Sequence, residues 1–174
     1  AKVALQGAME CDKYDQLPNE KGKVAPKFHD KNIARTKSMR LSLLQETEKL
    51  VNAQKSKEAL EIFDLYIGTS KSDFFKDVDG VSKNDPNMGY AAFYGGQSAF
   101  RLENYVKAKE LYKVGIRDTN KQISEYSLEG VLQSMQKTVK SAADSTQYIA
   151  ELIELSNEMP QYERIYAILS EAYL

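Results

Sequence analysis

The 174-residue chain has one cysteine, one histidine, four prolines and no long apolar run. A lone cysteine, Cys11, excludes an internal disulfide; that fits a reducing compartment, and equally any protein that needs no covalent staple. A catalytic or metal role for the lone histidine, His29, would need partners at defined spacing, and none is near it in sequence. No stretch approaches the roughly 18–20 apolar residues that span a bilayer. An excess of either charge is also missing. Lys and Arg total 24 against 25 for Asp and Glu, which argues against nucleic acid as the main partner, since phosphate binding wants a net basic surface. Strand-like alternation of useful length is absent, which leaves an all-α chain.

What the chain has is enough apolar material to fold: 42% hydrophobic residues against 28% charged. The spacing predicts a helix over 1–16, with Ala1, Leu5, Ala8 and Cys11 on one face, ended by Leu17-Pro18-Asn19-Glu20-Lys21-Gly22. Residues 17–30 are expected to be extended, with Pro26 excluding helix at Ala25. A long helix follows from Lys31 to Gln54, with Ile33, Leu41, Leu44, Leu50 and Val51 as its apolar positions. Its partner begins at Ser56 as N-cap and stops near Ile67, before Gly68. Residues 69–88 are an irregular loop carrying Phe74 and Phe75 among turn residues. Further helices are predicted over Gly89–Leu102, Tyr105–Ile116, Ser124–Val139, Thr146–Asn157 (capped by Asp144 or Ser145) and Tyr162–Tyr173.

Most residue clusters that could carry chemistry have a plain structural explanation. Cys11 lies on an apolar helical face and is expected to be a buried small hydrophobe. His29 is expected in a surface loop. Asp77-Val78-Asp79-Gly80 resembles part of a calcium loop, but Phe75 would stand at the first ligand position and Pro86 at the closing Glu, so it is a turn. Gly95-Gly96 has neither a flanking strand nor a Lys-Ser/Thr, and no phosphate loop results. Lys21, Lys23, Lys27, Lys31, Arg35 and Lys37 form the one basic cluster. Glu20 and Asp30 dilute it, and a solvated loop accounts for it better than a lipid or acidic-partner site. The Phe74–Phe75 pair either plugs its loop onto the helices or contacts a partner. No cofactor and no metal ligand set is expected.

The spacings among small and aromatic residues are more specific. Tyr105–Ala108–Tyr112–Gly115 follows a helix carrying Gly95, Gly96 and Ala99, and the same steps recur in Ala59–Phe63–Tyr66. Small residues let two helices touch, and a ring fills the gap one turn on. Near the end, Pro160 precedes Tyr166–Leu169–Ser170–Tyr173. These patterns resemble the tetratricopeptide (TPR) repeat. The resemblance implies an α-α superhelix of antiparallel helix pairs: a partial repeat at 1–16, a loop at 17–30, repeats at 31–68, 89–122 and 123–160 with a loop at 69–88, and a partial repeat at 161–174. Ala59 and Ala108 stand 49 positions apart, about 15 more than a usual repeat of about 34, and the 69–88 loop is the surplus. In the 123–160 repeat either Gly130 or Leu132 could be the close-contact residue. Residues 1–10 and 161–174 look like half-repeats, so a fragment of a longer solenoid is expected. The unpartnered 161–174 helix is expected to expose Ile165, Ile168 and Leu169 or to bury them in a homodimer.

The same resemblance implies function. Such folds are non-catalytic scaffolds that take a protein or peptide partner on the concave face of the first helices. The corresponding residues here are Leu44, Glu48 and Asn52 from one repeat and Phe93, Gln97, Phe100 and Arg101 from the next. Phe93, Tyr94 and Phe100 could equally pack against the neighbouring repeat. The alternative is an accessory or regulatory array within a larger envelope enzyme or transport assembly. The 17–28 loop and the Asp144-Ser-Thr-x-Tyr148 helix start are similar to those of exported TPR proteins of Bacteroidetes-type bacteria. That likeness implies a periplasmic or cell-envelope location, with the cytoplasm as the alternative.

Overall fold

A computed structural model describes residues 1–172, and over these the chain is helical with no strand. The last residue of the Tyr166–Leu169–Ser170–Tyr173 pattern lies outside the described residues. The helices are α1 (Lys2–Asp15), α2 (His29–Asn52), α3 (Ser56–Ser70), α4 (Met88–Arg101), α5 (Tyr105–Gly115), α6 (Lys121–Thr138), α7 (Ala142–Glu158) and α8 (Glu163–Ala172). A short 3-10 turn, Asp73–Phe75, sits in the long α3–α4 connection. Consecutive helices pack on each other from α1 to α8, and α4 also touches α6. That order is compatible with an α-α superhelix.

Two cores hold the helices together. The smaller joins Leu5 of α1, Leu43 of α2 and Ile62 of α3 to Phe74, Phe75 and Val81 of the long connection. Phe74 and Phe75 are therefore a plug, with Phe75 fully buried. At about 1.5–3 kcal/mol for each large apolar side chain removed from water, this pair fastens the connection to the helices. The larger core runs from Leu44 and Phe63 through Ala92, Ala99, Ala108, Tyr112 and Val131 to Leu152 and Ile165.

The small residues work as their spacing predicts. A methyl group on Gly96 would stand 2.8 Å from the Tyr112 ring, and one on Gly130 would stand 2.5 Å from the same ring. Tyr112 of α5 thus fills a slot between α4 and α6, and Gly130 is the close-contact residue of α6. Gly95 serves a different neighbour: its side faces Phe63 of α3 and Leu111 of α5.

The turns between α2 and α3 and between α4 and α5 are built alike. Gln54 (φ 57°) and Glu103 (φ 58°) adopt the left-handed conformation. The next residue's N–H then reaches back five positions, Lys55 to the Leu50 carbonyl at 2.9 Å and Asn104 to the Ala99 carbonyl at 3.0 Å. This satisfies carbonyls that a helix end leaves open. The two turns lie 49 positions apart, the same offset as Ala59 and Ala108, both fully buried.

Several expectations need correction. Cys11 is exposed, because the inward stripe of α1 runs through buried Leu5, half-buried Ala8 and buried Asp12 instead. α2 starts two residues early, at His29, and Leu41 is exposed while Thr36, Arg40, Leu43 and Thr47 are buried. The helix therefore turns a partly polar stripe inward, which a count of apolar residues could not find. α3 continues through Gly68 to Ser70, since an open-sided glycine does not by itself stop a helix. α7 begins at Ala142, not Thr146. Its N-cap is Ser141, whose Oγ accepts the Asp144 N–H at 3.2 Å and donates to the Asp144 carboxylate at 2.8 Å. In α8, Ile165 is fully buried and Ile168 and Leu169 are half-buried against the larger core, so that apolar face is covered from within the chain.

Candidate functional site

Turns of α4 and α6 that face each other across Tyr112 leave a groove of about 610 Å³. From α4 come Tyr90, Phe93, Tyr94 and Gln97, spaced three and four residues apart and so on one helical face. From α6 come Gln122, Ile123, Tyr126, Glu129, Gly130 and Gln133, on the same rule. Gly130 and Tyr112 form the floor.

The rings form a continuous set. Tyr90 and Tyr94 lie 4.5 Å apart between centroids, and Phe93 meets Tyr94 edge-on at 4.9 Å. Phe93 then faces Tyr126 across the groove at 6.2 Å with planes 29° apart. Tyr126 is 55% exposed, an unusual state for a large ring flanked by others. Burial raises the Tyr112 hydroxyl to about 12, eased slightly by Arg101. Burial also raises Tyr90, with Tyr94 and the Glu48 carboxylate adding to it. The Tyr112 and Tyr90 hydroxyls therefore stay protonated at neutral pH.

The polar groups of the groove divide into occupied and open ones. Glu129 takes Arg164 of α8 in a two-point contact, Nε to Oε2 and Nη2 to Oε1, each at 3.0 Å. It also accepts from Gln133 Nε2 at 3.0 Å. Asn120 Oδ1 caps α6 by accepting from the N–H groups of Gln122 and Ile123. Gln97 makes no side-chain hydrogen bond among the described residues.

The residues expected to face a partner therefore separate. Phe93 and Gln97 line the groove. Leu44 is 8% exposed and belongs to the core, because α2 turns it toward α3. Glu48 and Asn52 are exposed on α2. Phe100 packs edge-on against Tyr105 at 5.1 Å, and Arg101 is exposed at the end of α4, so neither lines the groove. The α6 half of the groove was missed. Its signal was the Gln122–Tyr126–Glu129–Gln133 spacing, one face of a helix ending in neutral amides.

Two polar clusters lie elsewhere. Arg40 is 2% exposed and its guanidinium stacks on Tyr66, 4.0 Å from the ring centroid. It donates to Thr69 Oγ1 at 2.7 Å, to the Tyr66 carbonyl at 3.2 Å and to Asp85 Oδ2 at 2.7 Å. Tyr66 donates to Asp85 Oδ1 at 2.9 Å, and burial raises its hydroxyl far above the ordinary tyrosine range. Every group in this network is spent on another, as a structural clasp requires. His29 is not in a free loop. As the first residue of α2 it places Nδ1 2.6 Å from Asp12 Oδ1 of α1, and its ring meets Phe74 edge-on at 5.9 Å. No group of three or more metal-ligating side chains occurs among the described residues, and none of their helices is long and apolar enough to cross a membrane. Comparison with family models, with curated proteins and with solved structures finds no match.

Proposed function

We propose that this protein is a non-catalytic interaction module of the TPR type, which binds a protein or peptide segment in the α4–α6 groove. The observation that supports this reading is the row of exposed Tyr126 and half-buried Tyr90, Phe93 and Tyr94 beside the open amide of Gln97. Apolar side chains of a ligand would pack on the rings, and Gln97 would pair with its backbone. A cell-envelope setting, as the resemblance implies, belongs to the same proposal.

The test is selection from a random dodecamer library against the immobilised protein. A Tyr126→Glu, Gln97→Glu variant, with its fold checked by circular dichroism, serves as the counter-screen. The expected result is a set of related peptides retained by the parent and released by the variant. Peptides retained equally by both, or no enrichment at all, would overturn the groove as the binding site.

A further inference from the structure

The two long connections of this chain treat their apolar residues in opposite ways. The α3–α4 connection buries Phe74 and Phe75 in the smaller core. Between α1 and α2, every residue from 16 to 28 is exposed. Leu17, Val24 and Phe28 of this loop, with Tyr14 at the end of α1, are between 49% and 69% exposed, and none of them packs against either core. The loop is nevertheless built. Asn19 Oδ1 accepts the N–H groups of Lys21 and Lys23, at 2.9 and 3.1 Å, and the Asn19 N–H donates to the Lys23 carbonyl at 3.0 Å. At its far end the Phe28 N–H donates to Asp15 Oδ2 at 2.7 Å, which returns Phe28 to the end of α1 that carries Tyr14.

Cations share the same surface. Lys21, Lys23, Lys27, Lys31 and Arg35 are exposed, and none has a carboxylate partner among the described residues. Glu20 and Asp30 are the carboxylates of the stretch, so positive charge prevails. Steps of three and four residues from Phe28 to Lys31 and Arg35 put these on one side of the start of α2. Solvation accounts for the lysines but not for the large apolar side chains set among them. We propose that this loop docks the protein on an anionic lipid surface. Tyr14, Leu17, Val24 and Phe28 enter the boundary between headgroups and acyl chains, and the lysines pair with lipid phosphates. Charge and apolar area together are what holds a protein in that layer. A protein partner fits less well, because lysine is depleted at protein interfaces. A nucleic acid fits less well again, because Phe28 is the loop's one ring and offers no row for stacked bases. The proposal does not depend on the α4–α6 groove.

The experiment floats the full chain with vesicles of phosphatidylcholine, alone or with about 30% phosphatidylglycerol, at low and physiological salt. Two variants change exposed side chains only: Lys21→Gln, Lys23→Gln, Lys27→Gln and, separately, Val24→Ser, Phe28→Ser. Circular dichroism checks that each is folded. Binding to the phosphatidylglycerol vesicles at least ~10-fold tighter than to phosphatidylcholine alone, and weakened ~10-fold or more by either variant, is expected. Binding lost in the lysine variant but unchanged in the apolar one would reduce the effect to surface charge and overturn the docking role. Equal binding to both vesicles, binding unchanged by the lysine variant, or no binding would also overturn it. Release from the vesicles by soluble polyglutamate at matched charge, with the polyglutamate bound more tightly than the lipid, would assign the loop to an acidic protein instead.

Discussion

Tyr112 has no room to spare. Its ring lies between Gly96 of α4 and Gly130 of α6, and a methyl group on either glycine would intrude on it. Gly96→Leu should therefore destabilise the protein by roughly 1–3 kcal/mol through overpacking, measured as a lower urea midpoint. Gly68→Ala is the internal control. Gly68 sits in α3 with open space beside it, so alanine should add about 0.5–1 kcal/mol by restricting the unfolded chain. Unchanged stability in both variants would show that the close contact is not needed. The Arg40–Asp85 pair, each side chain 3% exposed, is the other residue on which much depends. Asp85→Ala would leave a buried guanidinium without its counter-charge and strip the Tyr66 hydroxyl of its acceptor. A loss of about 3–5 kcal/mol is expected in chemical denaturation.

At the scale of elements, the helix ends are built from local chemistry. Glu103 adopts a left-handed conformation that disfavours any residue with a Cβ. Glu103→Gly should raise stability by up to about 1 kcal/mol, seen as a higher melting temperature, because glycine meets no such penalty there. The attachment of α7 uses charge as well as the buried Leu152 and Leu155. Lys109 of α5 donates to both Glu151 oxygens, at 2.8 and 3.0 Å, across a cavity of about 250 Å³ between α5, α6 and α7. Burial alone would push the Glu151 carboxyl up, but the Lys109 hydrogen bonds and charge overcome it and hold it below its usual 4.5. The folded state thus favours the ionised form. The pair's contribution is present above pH about 4.5 and is lost as the pH falls through the lowered value. Glu151→Gln should flatten that part of a stability-against-pH profile between pH 6 and 3.

Over the whole molecule, packing is uneven. α3, α4, α5 and α6 form a dense middle, whereas α7 meets α6 sparsely and packs chiefly with α8. Native-state hydrogen exchange should show α7 and α8 opening at lower free energy than α4 and α5. Uniform protection would count against this division. The groove belongs to the dense middle, so a ligand of the proposed kind would meet helices already held in place, which would limit the entropy lost on binding.

The sequence by itself determined the all-α class, nearly every helix, the pairing of small residues with large rings, and the placing of Phe93 and Gln97 on one face of α4. These follow from local periodicity and from turn-forming residues, which act over a few positions. The tertiary structure alone decided which polar residues went inside. Nothing in the run Arg35-Thr-Lys-Ser-Met-Arg40 distinguishes Arg40 from Arg35, yet Asp85, 45 positions away, buries one and not the other. Likewise His29 was placed by Asp12 and Phe74, and Cys11 was left exposed by the rotation of α1. The groove is the same kind of outcome. Tyr126 faces Phe93 only because two glycines let α4 and α6 close around Tyr112. A site built from two helices depends on their approach, and that approach is set by packing between segments distant in sequence.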